Sequence, residues 1–214
     1  MGSDALAPIA LSSEALPRRD RFARWREELM VRVMRVDVDV PDRDNFRTNL
    51  SVLALPKIGL IDRRSTPSFV QRDRILVRDG ADDLVFNFAW EGDSHWFWPE
   101  HESRVSPGQA VVSSLNQVCG FRSPKGSAAS AIRVGRAQAS RLVPSIERHC
   151  ARPLTVPPAA MAILKAYLAA LAHGPAQPAS TALLVEHQIG ELLAQVPVRP
   201  DFPPFPNRAY HRPG

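Results

Sequence analysis

The sequence predicts a mainly β domain followed by C-terminal helices, and three observations predict it. Between residues 46 and 124, short alternations of apolar and polar residues are separated by turn signals at Asp79-Gly80, Glu91-Gly92-Asp93 and Pro107-Gly108. That is the pattern of a sandwich or barrel rather than of alternating strands and helices. Two later stretches, "PPAAMAILKAYLAALAHG" and "ASTALLVEHQIGELLAQV", are rich in alanine and leucine, which favour helix. No glycine-rich phosphate loop and no dinucleotide fingerprint points to an α/β nucleotide binder.

Taken in order, residues 1–20 read as a flexible N-terminal arm. "RRDRFARWREELM" fits a short helix, with Phe22, Trp25 and Leu29 at spacings of three and four and Asp20 as its cap. "VRVMRVDVDV" reads as a strand carrying Val31, Val33, Val36, Val38 and Val40, ended by Pro41-Asp42. "FRTNLSVLALPKIGLIDRRS" gives one long strand or two, broken near Pro56. The hairpins around the three turn signals follow, then a strand from Ala129 to Val134. "RAQASRLVPSIERHC" looks helical apart from Pro144. In the first of the two strong helices prolines sit at the start, Gly174 closes the end, and Met161, Leu164, Leu168 and Leu171 share a face. Helices this apolar pack on the sheet, on each other or on a second subunit. The last stretch, "PVRPDFPPFPNRAYHRPG", holds six prolines in eighteen residues and reads as a disordered tail. The expected division is therefore an arm (1–20), a β domain (21–135), a helical segment (136–196) and a Pro-rich tail (197–214).

Bulk properties exclude several classes. No run of about eighteen apolar residues offers a membrane-spanning helix. The N-terminus lacks a basic leader followed by a sustained apolar core, and the two cysteines, Cys119 and Cys150, stand far apart. Both point to a cytoplasmic protein. The net charge of +5 permits an anionic partner without demanding one, because the arginines are scattered rather than gathered in a reading stripe.

The richest candidate site is "DDLVFNFAWEGDSHWFWPE". Leu84, Phe86, Phe88 and Trp90 point one way, and Val85, Asn87 and Ala89 the other. Across the turn, Trp96 and Trp98 share a face. Phe86, Phe88, Trp90, Trp96 and Trp98 serve either to line a cavity for a flat or apolar ligand or to fill a sandwich core. His95 and His101, near Glu91, Asp93, Glu100 and Glu102, lack a recognisable ligand spacing, so no metal is expected. Ser113 and Ser114 sit in a strand rather than at a nucleophile elbow, and His149 beside Cys150 in sequence does not put a base beside a nucleophile. No catalytic residue and no cofactor is expected.

From "FARWREELMVRVMRVDVDVPDRDNFRTNLSVLAL" through "DDLVFNFAWEG" and "SRVSPGQAVVSSLNQ" to the paired C-terminal helices, over roughly residues 15–196, the chain resembles the N-terminal, cupin-like region of AraC-family transcriptional regulators. The resemblance implies a small cupin-like β-barrel that binds an effector in some members, followed by helices that mediate dimerisation. It also implies a second domain with two helix-turn-helix motifs, through which alone DNA is bound. The interface expectation is the face of Leu164, Leu168 and Leu171 with Leu183, Leu184 and Leu192. Because "PVRPDFPPFPNRAYHRPG" stands where that family continues into its DNA-reading domain, a truncated gene, a frameshift product or a stand-alone sensor is expected. The family's metal-dependent enzyme relatives carry histidines on both sides of the Pro-Gly turn. Here Val111, Val112, Ser113, Ser114 and Leu115 follow Gly108. The expected function is thus ligand sensing and dimerisation within a transcription regulator. The alternatives are a metal-dependent cupin enzyme and a non-functional or interfering remnant of a regulator.

Overall fold

The structure is a computed structural model and describes residues 5–196. The expected Pro-rich tail and the first four residues of the expected arm lie outside the described residues. The described residues form fourteen strands. β1 (Ala5–Leu6), β2 (Ile9–Ser12), β3 (Asp37–Asp39), β4 (Thr48–Ala54), β5 (Ile58–Ser65), β6 (Ser68–Arg72) and β7 (Leu84–Glu91) come first. β8 (Ser94–Trp98), β9 (His101–Val105), β10 (Gln109–Ser114), β11 (Cys119–Ser123), β12 (Ser127–Val134), β13 (Pro153–Thr155) and β14 (Gln177–Pro178) follow. The helices are α1 (Arg21–Arg24), α2 (Arg136–Leu142), α3 (Pro158–His173) and α4 (Ala182–Ala194).

Two antiparallel sheets carry the fold. One runs β13-β10-β7-β12-β5-β4-β2 and the other β3-β6-β11-β8-β9. Neither closes on itself, so the expected barrel is a stack of two open sheets. β7 shows how the layers are filled. Leu84, Phe86 and Phe88 pack with Leu164, Leu168, Ile189 and Leu193, which puts α3 and α4 on one face of the seven-stranded sheet. On its other face, Ala89 and Val111 meet Trp96, Trp98 and Cys119 of the five-stranded sheet. A further cluster of Phe22, Trp25, Met30, Phe46, Leu50 and Val70 fills the end between the sheets. The order is helices, large sheet, small sheet.

The turn signals hold, with Gly80, Gly92 and Gly108 all at positive φ, but the expected hairpins do not form: each turn carries the chain from one sheet to the other, β6 to β7, β7 to β8 and β9 to β10. Pro56 separates β4 from β5, where the Leu55 amide donates to the Ile58 carbonyl across a tight turn. Pro158 opens α3 at its first turn, where its missing N–H costs nothing, and the chain leaves the helix at Gly174. Pro144 ends α2 early, and the chain resumes as a 3₁₀ turn at Ile146–His149.

Three expectations are corrected. Residues 9–12, placed in the flexible arm, pair with β4 at the edge of the large sheet. The strand expected over 31–40 shrinks to Asp37–Asp39, because Trp25–Met34 winds in π-helical turns instead. The β-branched residues there favour extended backbone, but tertiary contacts override them. Trp25 and Met30 are buried in the core, and the Arg26 guanidinium grips Asp37 at 2.6 and 3.1 Å, tying the coil to β3. Arg35, at φ 56°, then reverses the chain. Third, the expected dimer face is mostly core. Leu164 and Leu168 are buried on the sheet, and Leu171 and Leu192 pack partly against the same core. A single β-sheet face this apolar needs both helices to cover it, which leaves those leucines no second surface. Leu183 and Leu184 alone of that set are exposed, at 67% and 56%.

Candidate functional site

Between the two sheets lies a cavity of about 220 Å³. Its floor is the inward face of the large sheet, laid out in rows by strand register. Val111, Asn87, Ala131 and Ile61 form one row. Ala89, Ala129, Arg63 and Leu50 form the next. Three alanines in these rows keep the floor low, and that is what leaves the space. Trp96, Val70, Cys119 and Phe121 of the small sheet form the roof, and Met30 and Met34 of the π-helical segment, with Val36 just after it, close one end.

The polar groups of this apolar space are few. The Asn87 side-chain amide donates to the Val85 carbonyl at 3.1 Å and lies 3.4 Å from Ser113 Oγ. Arg72, only 2% exposed, is fully engaged. It donates to the carbonyls of Leu115 (2.6 Å) and Arg35 (2.7 Å) and to the Asp79 carboxylate (2.6 Å). Arg63 is not. Its guanidinium lies 4.7 Å from the Phe121 ring centre, but its Nη1 is buried without a hydrogen-bond partner among the described residues. Burial draws this guanidinium down from the usual arginine range to about 10, against the pull of Asp62 next to it in the chain. The side chain nevertheless keeps some accessible surface. Arg63 is among the residues that line the cavity.

The aromatics expected to line a pocket divide. Trp96 does line the cavity, its indole N–H held by Ser94 Oγ at 3.0 Å. Trp98 is buried beside it and stacks on Trp96 and His101. Phe88 borders the cavity too, but its side chain, like that of Phe86, packs in the core cluster beneath the helices. Trp90 lies over that same face, stacked on Phe88 with Lys165 above its ring, and donates to Ser130 Oγ at 2.7 Å. The alternation along β7 was legible, but the wrong face was assigned to the pocket. The cavity face belongs to Val85, Asn87 and Ala89. Arg63, Ala129, Ala131, Met30 and Met34 were not anticipated. The one signal that pointed to Arg63 was its place in register with Ile61, in a strand covered on both faces.

No arrangement for covalent chemistry appears among the described residues. Ser130 Oγ donates to Asp62 Oδ1 (2.6 Å) while His173 Nε2 meets Asp62 Oδ2 (2.9 Å). The carboxylate thus stands between serine and histidine, so the histidine cannot take the serine proton as a nucleophilic relay requires. Burial pushes the thiols of Cys119 and Cys150 up to about 11, leaving them protonated and unreactive. His95 is exposed, and His101 Nε2 is hydrogen-bonded to the Ala151 carbonyl at 2.8 Å. No three of the described His, Cys, Asp and Glu residues gather to hold a metal ion. The metal-enzyme alternative therefore lacks a donor set in this region.

No family model and no curated protein matches the chain. Among solved structures, the crystal structure of the AraC-like transcriptional activator CuxR superposes over 92% of this chain and 72% of its own, with a TM-score of 0.72 and 17% identity. At that identity the likeness is one of fold, and it extends over the sheets and the C-terminal helices. The Clostridium difficile EutQ protein matches 45% of the chain and 76% of its own (TM-score 0.34, 10% identity). A variant of the Bacillus subtilis oxalate decarboxylase OxdC matches 42% and 25% (0.32, 6%). Neither of these partial matches carries an argument.

Proposed function

We propose that this chain is the sensing domain of a transcription regulator of the AraC type and that its effector occupies the cavity between the two sheets. The cavity carries the reading, because a void of this size in a close-packed interior normally forfeits stability. At about 220 Å³ it lies just below the roughly 300–1,000 Å³ of drug-sized sites, which suits a small ligand. The fold likeness to a transcriptional activator supports the regulatory setting. In this reading DNA contact falls to a separate helix-turn-helix domain, and self-association draws on the exposed Leu183 and Leu184.

The mechanism is a population shift. Met30 and Met34 are adaptable walls of the cavity, and they sit on the π-helical segment, a geometry found frequently at functional sites. A ligand touching them favours one placement of that segment over another, and only this differential contact shifts the equilibrium.

Filling the cavity tests the reading. Ala131→Phe places a ring over the central row of the floor. It is expected to abolish the thermal shifts that a small-molecule library gives with the native protein, while its own melting temperature changes by only a few degrees. Identical hit lists for the two proteins would place the ligands elsewhere.

A further inference from the structure

The geometry points to a small organic monoanion as the occupant of this cavity: a ring or short chain carrying one carboxylate, its acidic group on Arg63 and its body over Ala129, Ala131 and Trp96. This inference rests on the effector-cavity reading and names what that site selects.

The argument begins with the neighbours of Arg63. Its partners across the two adjoining strands are Ala129 and Leu50, neither of which offers an acceptor. The carboxylates within reach are engaged elsewhere. Asp62 points to the opposite face of β5, where Ser130 and His173 hold it. Glu91, at the cavity rim, is clamped by Arg64 through two hydrogen bonds of 2.6 and 2.7 Å. The ring of Phe121 attracts the charge from one side but accepts no N–H in the plane of the guanidinium. A buried cation without an anion is costly and is ordinarily removed or paired. Arg72, in the same interior, shows the paired alternative, with every direction of its fork occupied. Arg63 lines the cavity with its Nη1 unpartnered, and a planar fork matches a carboxylate geometrically.

Size and charge narrow the class. An apolar cavity of about 150 Å³ admits benzene, so about 220 Å³ admits a single ring with one acidic group. One unpaired cation balances one negative charge. A second would lie uncompensated near Glu91, which disfavours dianions. The remaining walls (Ile61, Val70, Trp96) suit a hydrocarbon body.

Isothermal titration calorimetry at neutral pH tests this with cyclohexanecarboxylate and hexanoate against their neutral amides. The acids are expected to bind roughly tenfold to a hundredfold more tightly than the amides, the span of a hydrogen bond to a charged group. Arg63→Met is expected to erase that preference, and Arg63→Lys to keep part of it. Folding of the variants is checked by ligand-free melting, where Arg63→Met is expected at or above the native temperature. A lower melting temperature would mark Arg63 as a structural group and overturn the proposal. Acids and amides binding alike to native protein would also overturn it while leaving the effector cavity standing, as would an acid preference that survives Arg63→Met. If none of the four binds, the monoanion proposal falls, and xenon pressurisation of crystals decides the rest. Xenon between the sheets keeps the effector cavity, and its absence there removes both readings.

Discussion

Phe86→Ala is expected to cost about 3–5 kcal/mol of folding stability and to leave any ligand preference of the surviving folded protein unchanged. Phe86 is fully buried, and its register partners on either side are Val112 and Ile132, which are fully buried as well. It sits beneath α3 and α4 in the one cluster that joins the large sheet to the helices. Truncation removes the transfer free energy of a benzyl group and opens a void that a sheet anchored on both sides cannot close. Urea denaturation measures the effect as a lower midpoint with an unchanged slope. A stable Phe86→Ala protein with weakened ligand binding would return this residue to the pocket, where its place in an aromatic hairpin first suggested it belonged.

Arg72→Met is expected to destabilise by about 3 kcal/mol, since it takes the donor from two carbonyls at once and leaves the Asp79 carboxylate with the Ala81 amide. The carbonyls are those of Leu115 and Arg35, so the substitution also loosens the reversal that follows the π-helical segment. Asp79 is held below the usual carboxylate range by the Ala81 amide first and by Arg72 second. A depressed carboxyl stabilises the fold above its unfolded pKa and loses that contribution as pH falls through its lower, folded value. Without Arg72 the depression shrinks, so the acid limb of the stability profile should move to higher pH. Unfolding followed against pH measures both parts. The sign also separates these two arginines. Arg72→Met removes a satisfied charge and weakens the fold. Arg63→Met removes an unsatisfied one and does not.

Much of the fold was legible because its punctuation is chemical. Glycines with positive φ made the three turns where the sequence placed them, although these turns cross between the sheets instead of closing hairpins, and Pro56 and Pro158 broke and opened elements where their missing N–H groups demand it. The C-terminal helices followed from composition alone. The segment 31–36 was misread because valine propensity is a local quantity. Trp25, Met30 and the Arg26–Asp37 pair act from other parts of the structure. The site was half legible. Period-two alternation separates the two faces of β7 but does not say which face meets helices and which meets the second sheet. That depends on the helices covering one face completely, which leaves the void for the face of small side chains. A cavity is made by what is missing, here by Ala89, Ala129 and Ala131, and small residues carry little signal in a sequence.

The central claim is that the space between the sheets receives a ligand. Crystals soaked with a bromobenzoate test it most directly, because the bromine reports its own position by anomalous scattering. The account predicts a bromine peak between Trp96 and the Ala131 row, with the carboxylate turned toward Arg63, and no such peak in Ala131→Phe crystals. Bromine bound only on the outer surface, or a cavity closed over by Met30 and Met34 in every soak, would contradict it.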